Sequence, residues 1–308
     1  MTVAVIDIGS NSIKILVAAR RPDARIEALT MHTVDARISA GISKAHPRLG
    51  EEGMACGLAA IQELLAHAAP FAPDQTLLVA TSAVRGAENG AEFIERVRTA
   101  TGHSIRVLTG DEEAVLIGRG LTCDPALTAL RDFYVFDLGG GSLECLAFRE
   151  RALVAEASLP LGCVRLTERF IADSSAPLPA EERIALADHT RAMLLSGFAF
   201  ELPAGAVAVF SGGSMTSVRA IFGARIGRRM SEAPSLLRVA DIRALLEQVA
   251  SLPLAARRRI PGLPEARADV FPAALVTLLT VAEVGGFDHF QHSLYNLRWG
   301  LADTAISG

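Results

Sequence analysis

Two stretches decide how this chain reads: Val5-Ile6-Asp7-Ile8-Gly9-Ser10-Asn11-Ser12-Ile13-Lys14-Ile15-Leu16 and, 130 residues later, Val135-Phe136-Asp137-Leu138-Gly139-Gly140-Gly141-Ser142-Leu143-Glu144-Cys145-Leu146. Val, Asp, Gly, Ser and the closing Leu are identical, and the 6/136, 8/138 and 13/143 pairs are apolar in both copies. Each copy reads as a strand, a tight Gly/Ser/Asn bend and a second strand. A repeat this widely spaced is not a solenoid unit; it predicts two similar domains facing each other. Outward from the bends, helical spacing predicts helices over 51–68, 88–100, 111–121, 181–200, 239–251 and 273–285. Strands are expected at 76–81, 104–109 and 207–210, the last ending in Ser211-Gly212-Gly213-Ser214. Residues 122–131, broken by Cys123-Asp124-Pro125, read as the connection, which divides the chain into lobes at 1–124 and 125–308, α/β in both.

Composition removes several function classes. The 308 residues are 50% hydrophobic and 21% charged, ample for packed cores. Lys+Arg 30 against Asp+Glu 34 leaves −4, so no overall basic field draws the chain to nucleic acid. The longest apolar stretch, Ala273 to Ala282, is too short to span a bilayer, and no leader pattern opens the sequence, so a cytoplasmic location is expected. The four cysteines show no metal spacing and read as reduced thiols. Lysine occurs only at Lys14 and Lys44, which excludes a GxxxxGK[ST] phosphate loop. His289 and His292 lie three apart without a third ligand, and Ser214 is in no GxSxG elbow, so zinc and serine catalysis lack support.

The repeated bend has a chemical use. Glycine lets consecutive backbone N–H groups turn toward one point and form an anion nest. Gly9, Ser10, Asn11 and Ser12 would supply one nest, and Gly139, Gly140, Gly141 and Ser142 another. Gly212, Gly213 and Ser214 offer a third turn. An Asp just before each bend, Asp7 and Asp137, is placed to hold hydrated Mg²⁺ or another divalent cation against phosphate oxygens. The plain alternative is that each bend only closes its hairpin.

Further segments accompany these bends: Ala80-Thr81-Ser82-Ala83-Val84-Arg85 with Asn89, Thr109-Gly110-Asp111-Glu112-Glu113-Ala114, Leu159-Pro160-Leu161-Gly162-Cys163-Val164-Arg165-Leu166-Thr167-Glu168, and Ile260-Pro261-Gly262-Leu263-Pro264 with Arg267-Ala268-Asp269. Together and in this order they resemble the motifs of the exopolyphosphatase/guanosine-pentaphosphatase (Ppx/GppA) family. The resemblance implies an α/β fold of two ribonuclease-H-like, actin-like ATPase domains facing an interdomain cleft, each built on a mixed five-stranded sheet. It implies Mg²⁺-dependent release of terminal orthophosphate from inorganic polyphosphate, or 5′ γ-phosphate removal from guanosine pentaphosphate. A non-catalytic nucleotide- or alarmone-binding regulator with the same clamp is the third reading. No nucleic acid and no membrane is expected as partner, and a homodimer is left open. The chain resembles a short-form member, without further C-terminal helical domains.

The resemblance puts the water-activating carboxylate at Glu113, with Glu112 as helix start or like-charged neighbour; the bland reading makes both residues favourable first-turn charges. Arg85 is a two-point phosphate ligand or a surface arginine at a helix start. Glu144, on the outgoing strand, is a candidate metal or water ligand, with a solvent-facing strand residue as its alternative. Arg219, Arg225, Arg228 and Arg229, and the run Arg257-Arg258-Arg259, are either solvated faces or a cationic track for a polymer. Leu143 after GGGS, Trp299 in Leu297-Arg298-Trp299-Gly300 and Arg37-Ile38-Ser39-Ala40-Gly41 depart from the family pattern.

Overall fold

The computed structural model describes residues 1–22, 25–42, 44, 46–203 and 205–307. The chain forms two compact units, Met1–Thr128 with Tyr295–Gly308, and Ala129–Leu294. The crossing at 128/129 lies inside the connection expected at 122–131. The second crossing differs from the expected division: residues 295–308 pack with the first unit.

In the first unit the leading hairpin is β1 (Thr2–Ile8) and β2 (Ser12–Arg20), followed by β3 (Ile26–Asp35) and α1 (Glu51–Ala68). Then come β4 (Gln75–Ala80), the single turn α2 (Ser82–Arg85), α3 (Gly90–Thr101), β5 (Ile105–Val107) and α4 (Gly110–Thr122). The sheet order is β3-β2-β1-β4-β5, antiparallel through the first three strands and parallel from β1 to β5. α1 buries Met54, Gly57, Ile61, Leu64 and Ala68, a helical stripe lying against β1, β2 and β3. The span Glu51–Phe71 is long and apolar enough to cross a membrane by length and composition alone. Here its stripe serves the core.

The second unit repeats the plan. Its hairpin is β6 (Phe133–Leu138) and β7 (Leu143–Arg149), continued by β8 (Ala152–Leu159), α5 (Cys163–Phe170) and α6 (Ala180–Gly197). β9 (Val207–Ser211) runs directly into α7 (Gly212–Arg225), followed by β10 (Leu236–Arg238), α8 (Val239–Ala250), the turn α9 (Leu254–Arg257), α10 (Phe271–Gly285) and β11 (His289–His292). The order is β10-β11-β9-β6-β7-β8. This sheet has six strands rather than the expected five, because β10 adds an antiparallel edge to β11. Without β10 the two sheets share one topology. Aromatic rings are spent in this unit's core, where Phe136 meets Phe210 at 5.1 Å and Phe210 meets Phe290 at 4.5 Å.

α11 (Leu297–Ser307) returns to the first unit and packs on α4, β1 and β2. Its approach to α4 is backbone to backbone: a Cβ on Gly300 would lie 1.9 Å from Leu116 O, and one on Gly120 2.0 Å from Asn296 O. Trp299 is buried against Tyr295, with ring centroids 4.1 Å apart. Its Nε1 finds no acceptor among the described residues.

Candidate functional site

The repeat seen in sequence is a repeat in register. Asp7 lies opposite Lys14 and Ile8 opposite Ile13; Asp137 lies opposite Glu144 and Leu138 opposite Leu143. Both bends therefore project the same positions at the end of the same strand pair. What differs is charge, lysine in one hairpin and glutamate in the other.

In the first unit Ser10, Asn11 and Ser12 are buried, each no more than 4% exposed. The bend is braced from behind by the segment after β3. Ala36 and Arg37 donate their backbone N–H groups to Asn11 O at 3.3 and 3.0 Å, and Ser39 Oγ donates to Ser10 O at 3.0 Å. Arg37, at φ 39°, also reaches Asn11 Oδ1 through Nε at 3.3 Å. That assigns the degenerate Arg37–Gly41 motif a task, holding carbonyls of the bend. Asn11 Nδ2 is buried and has no acceptor among the described residues. A buried donor without an acceptor is costly unless a ligand supplies one. Asp7 likewise makes no side-chain hydrogen bond or ion pair among the described residues, and Ser10 Oγ lies 3.3 Å from Ser82 Oγ at the start of α2.

The two glutamates of α4 separate cleanly. Thr109 caps the helix: its Oγ1 accepts from Glu112 N at 3.1 Å while Glu112 Oε2 accepts from Thr109 N at 2.9 Å. Glu112 also pairs with Arg106 at 2.5 Å. The Thr109 N–H first, and Arg106 with it, hold the Glu112 carboxyl below its ordinary value. Glu112 is thus the helix-start residue. Glu113 is 6% exposed and accepts from Arg85 Nη1 at 2.9 Å; the same Nη1 donates to Leu108 O at 2.8 Å. Arg85 is half-buried and committed to Glu113 and Leu108 O. Asn89 exchanges two bonds with the Leu49 backbone, 2.8 and 2.9 Å, and ties down the loop before α1.

In the second unit the bend Gly139–Ser142 is clamped by the start of α5. Cys163 N donates to Gly139 O at 3.0 Å, Val164 N and Arg165 N to Gly140 O at 2.9 and 3.2 Å, and Arg165 Nε to Gly141 O at 3.0 Å. Burial holds the Arg165 guanidinium below its ordinary value. Gly162 makes this approach feasible, since a Cβ there would sit 2.3 Å from backbone atoms of Gly140 and Gly141. With the carbonyls engaged, the N–H groups of Gly140 and Gly141 have no acceptor among the described residues. Free N–H groups converging at a glycine turn can receive an anion.

A polar row crosses the sheet beside this bend. Ser211, Asp137, Glu144 and Ser158 are successive register partners on β9, β6, β7 and β8. Ser211 Oγ donates to Asp137 Oδ2 at 2.6 Å and Ser158 Oγ to Glu144 Oε1 at 3.0 Å. Glu144 is 2% exposed, so it is not a solvent-facing strand residue. Gly212, Gly213 and Ser214, expected as a turn, form the first residues of α7. Gly212 has φ +89°, and a Cβ on it would lie 2.5 Å from Asp137 Oδ1. The Arg267 guanidinium crosses Gly213, where a Cβ would come within 2.3 Å of Nη2. Ser211, Gly162 and Arg267 were not singled out as site residues, because only the fold brings them to the bends.

No group of three or more His, Cys, Asp or Glu gathers as a metal cage among the described residues. The acidic donors come singly or as the cross-strand pair Asp137 and Glu144, a set that suits Mg²⁺, which takes one or two carboxylates and fills its shell with water and phosphate. The arginine clusters do not survive as continuous tracks. Arg219 grips Ala233 O through Nε and Nη2 at 3.1 and 2.7 Å, and Arg229 pairs with Glu232. Arg257, 1% exposed, donates to the carbonyls of Leu252, Ala268 and Ala176. Arg228, Arg258 and Arg259 remain exposed.

A family model described as the Ppx/GppA phosphatase family matches residues 16–306. The match begins beyond the first bend, so the likeness of Asp7 and Gly9–Ser12 to the second bend rests on register. Among solved structures, an Aquifex aeolicus PPX-GPPA enzyme is 25% identical over 99% of this chain and 99% of its own, with a TM-score of 0.79. An exopolyphosphatase from Cytophaga hutchinsonii is 22% identical, covers 100% of this chain and 98% of its own, and superposes with a TM-score of 0.87.

Proposed function

The chain belongs to the Ppx/GppA phosphatase family, has its actin-like ATPase fold and is a phosphohydrolase, and we propose that it releases terminal orthophosphate from inorganic polyphosphate. The observation that carries this reading is the division of labour on α4: Glu112 is consumed by the helix cap, while Glu113 is buried and aimed by Arg85. Hydrolysis of an anhydride needs one positioned carboxylate to take a proton from water. Glu113 takes it as the water oxygen bonds to the terminal phosphorus. The P–O bond to the next phosphate breaks, its electron pair stays on the bridging oxygen, and the chain leaves one phosphate shorter.

Arg85 orients Glu113 through Nη1, and its remaining N–H groups suit a phosphoryl oxygen. The bends at Gly9–Ser12 and Gly139–Ser142, with the start of α7, contribute backbone donors and the Asn11 amide to non-bridging oxygens. Within the second unit Asp137 and Glu144 would hold Mg²⁺, which when bound neutralises phosphoryl charge, and Asp7 is the corresponding carboxylate of the first unit. Each group named recognises phosphate. None recognises a base, which favours polyphosphate over guanosine pentaphosphate.

The test is orthophosphate release from long-chain polyphosphate and, separately, from guanosine pentaphosphate, both with Mg²⁺, for the parent and Glu113→Gln. Release from polyphosphate that is lost in the variant, with binding retained, is expected. Faster release from guanosine pentaphosphate reverses the substrate assignment, and binding without release by the parent makes the protein a regulator.

A further inference from the structure

We infer that His292 is a positioning residue for the glycine turn that opens α7, acting as a neutral imidazole locked in one tautomer. His292 ends β11, is 2% exposed, and lies opposite Phe210 of β9. Its ring meets two side chains of α7: Nδ1 is 3.5 Å from Arg219 Nη1 and Nε2 is 3.3 Å from Thr216 Oγ1. Arginine only donates, so Nδ1 accepts and the ring proton sits on Nε2. Thr216 has one hydroxyl proton, and it goes to Gly212 O at 2.8 Å. Its oxygen therefore accepts from Nε2–H.

The hydrogen bonds run one way, from Arg219 through His292 and Thr216 to Gly212 O. Arg219 is held in place by its other two nitrogens, Nε and Nη2, which both donate to Ala233 O. Burial, with the Arg219 charge beside it, pushes the His292 pKa down to about 3, so the ring stays neutral near pH 7. Gly212 is the residue that needs fixing. Its left-handed backbone is pressed against Asp137 on one side, and the chain from His292 anchors its carbonyl from the helix side. The peptides that follow, at Gly213 and Ser214, are the donors assigned to phosphate, and this inference rests on that assignment.

The test compares His292→Leu and Thr216→Val with the conservative His292→Gln and Thr216→Ser, reading KM and kcat for phosphate release at pH 7. The ring tautomer of the parent is read from its imidazole ¹⁵N shifts. Loss of one hydrogen bond from the chain is expected to raise KM about fivefold with kcat within about twofold. Gln and Ser, which keep a donor in the right sense, restore KM. Thr216→Val is nearly isosteric and decides the matter if His292→Leu fails to fold. An Nδ1–H tautomer, or Val and Leu variants with unchanged KM, overturns this inference alone. A parent that hydrolyses neither substrate overturns the functional reading and the positioning role with it.

Discussion

Acidification is the perturbation that most directly tests the interior of the second unit. In the unfolded chain the His292 imidazole takes up a proton below pH 6.5, whereas the folded protein keeps it neutral to about pH 3. Across that window the unfolded state binds one more proton, so stability falls as pH falls, by about 1.4 kcal/mol per unit. Between pH 6.5 and pH 5 the loss is about 2 kcal/mol, which for a unit of this size lowers the midpoint by about 4 to 8 °C. The full contribution is present above pH 6.5. Carboxylates held below their ordinary values, such as Glu112 and Asp173, protonate at lower pH and leave this interval to histidine. The assay is calorimetric unfolding of parent and His292→Gln at half-unit steps from pH 7.5 to 5. The parent's midpoint should fall with the larger slope, and the difference between the two curves should grow steadily toward pH 5. Parallel curves would refute the claim that the ring is buried neutral.

Other substitutions probe the remaining contacts. Glu113→Gln should lower the rate of phosphate release by at least about 10²-fold, read as kcat in a phosphate assay, with thermal stability little changed. Gly162→Ala should cost about 3 kcal/mol in chemical denaturation, because its Cβ meets backbone rather than a movable side chain. Arg257→Met should cost about 3 kcal/mol by stranding three carbonyls, whereas Arg258→Met should stay within about 0.5 kcal/mol. Asn11→Asp should raise KM at least about tenfold, since a carboxylate would replace the unpaired donor; an unchanged KM would remove Asn11 from the phosphate contacts.

The hairpins were legible because each needs two unlike signals in a row, alternating apolar residues and a bend of small ones, and both recur at one spacing. The helices at 51–68 and 239–250 were legible for the same reason, their stripes being local. β8 and β3 were not, because edge strands expose one side and their alternation mixes with polar and β-branched residues. The start of α7 was read as a turn since three small polar residues carry no helical preference; packing against β6 supplies it. Glu112 and Glu113 look alike in sequence, and only the Thr109 cap tells them apart. Arg219 and Arg257 misled in the opposite direction: arginine in a cluster suggests a charged surface, yet both are buried with backbone carbonyls as acceptors. The placement of 295–307 is a matter of tertiary contact, and nothing local marks it.

That placement has a consequence for biosynthesis. The second unit is one uninterrupted segment, complete once Leu294 has left the ribosome, while the first unit lacks α11 until thirteen further residues, Tyr295 to Ser307, have emerged. The earlier-translated sheet must therefore wait, with part of β1 and β2 uncovered, until α11 has been made. The unit translated later is able to close first, and the helix bearing Glu113 receives its backbone-tight neighbour only after Leu297–Ser307 have been made.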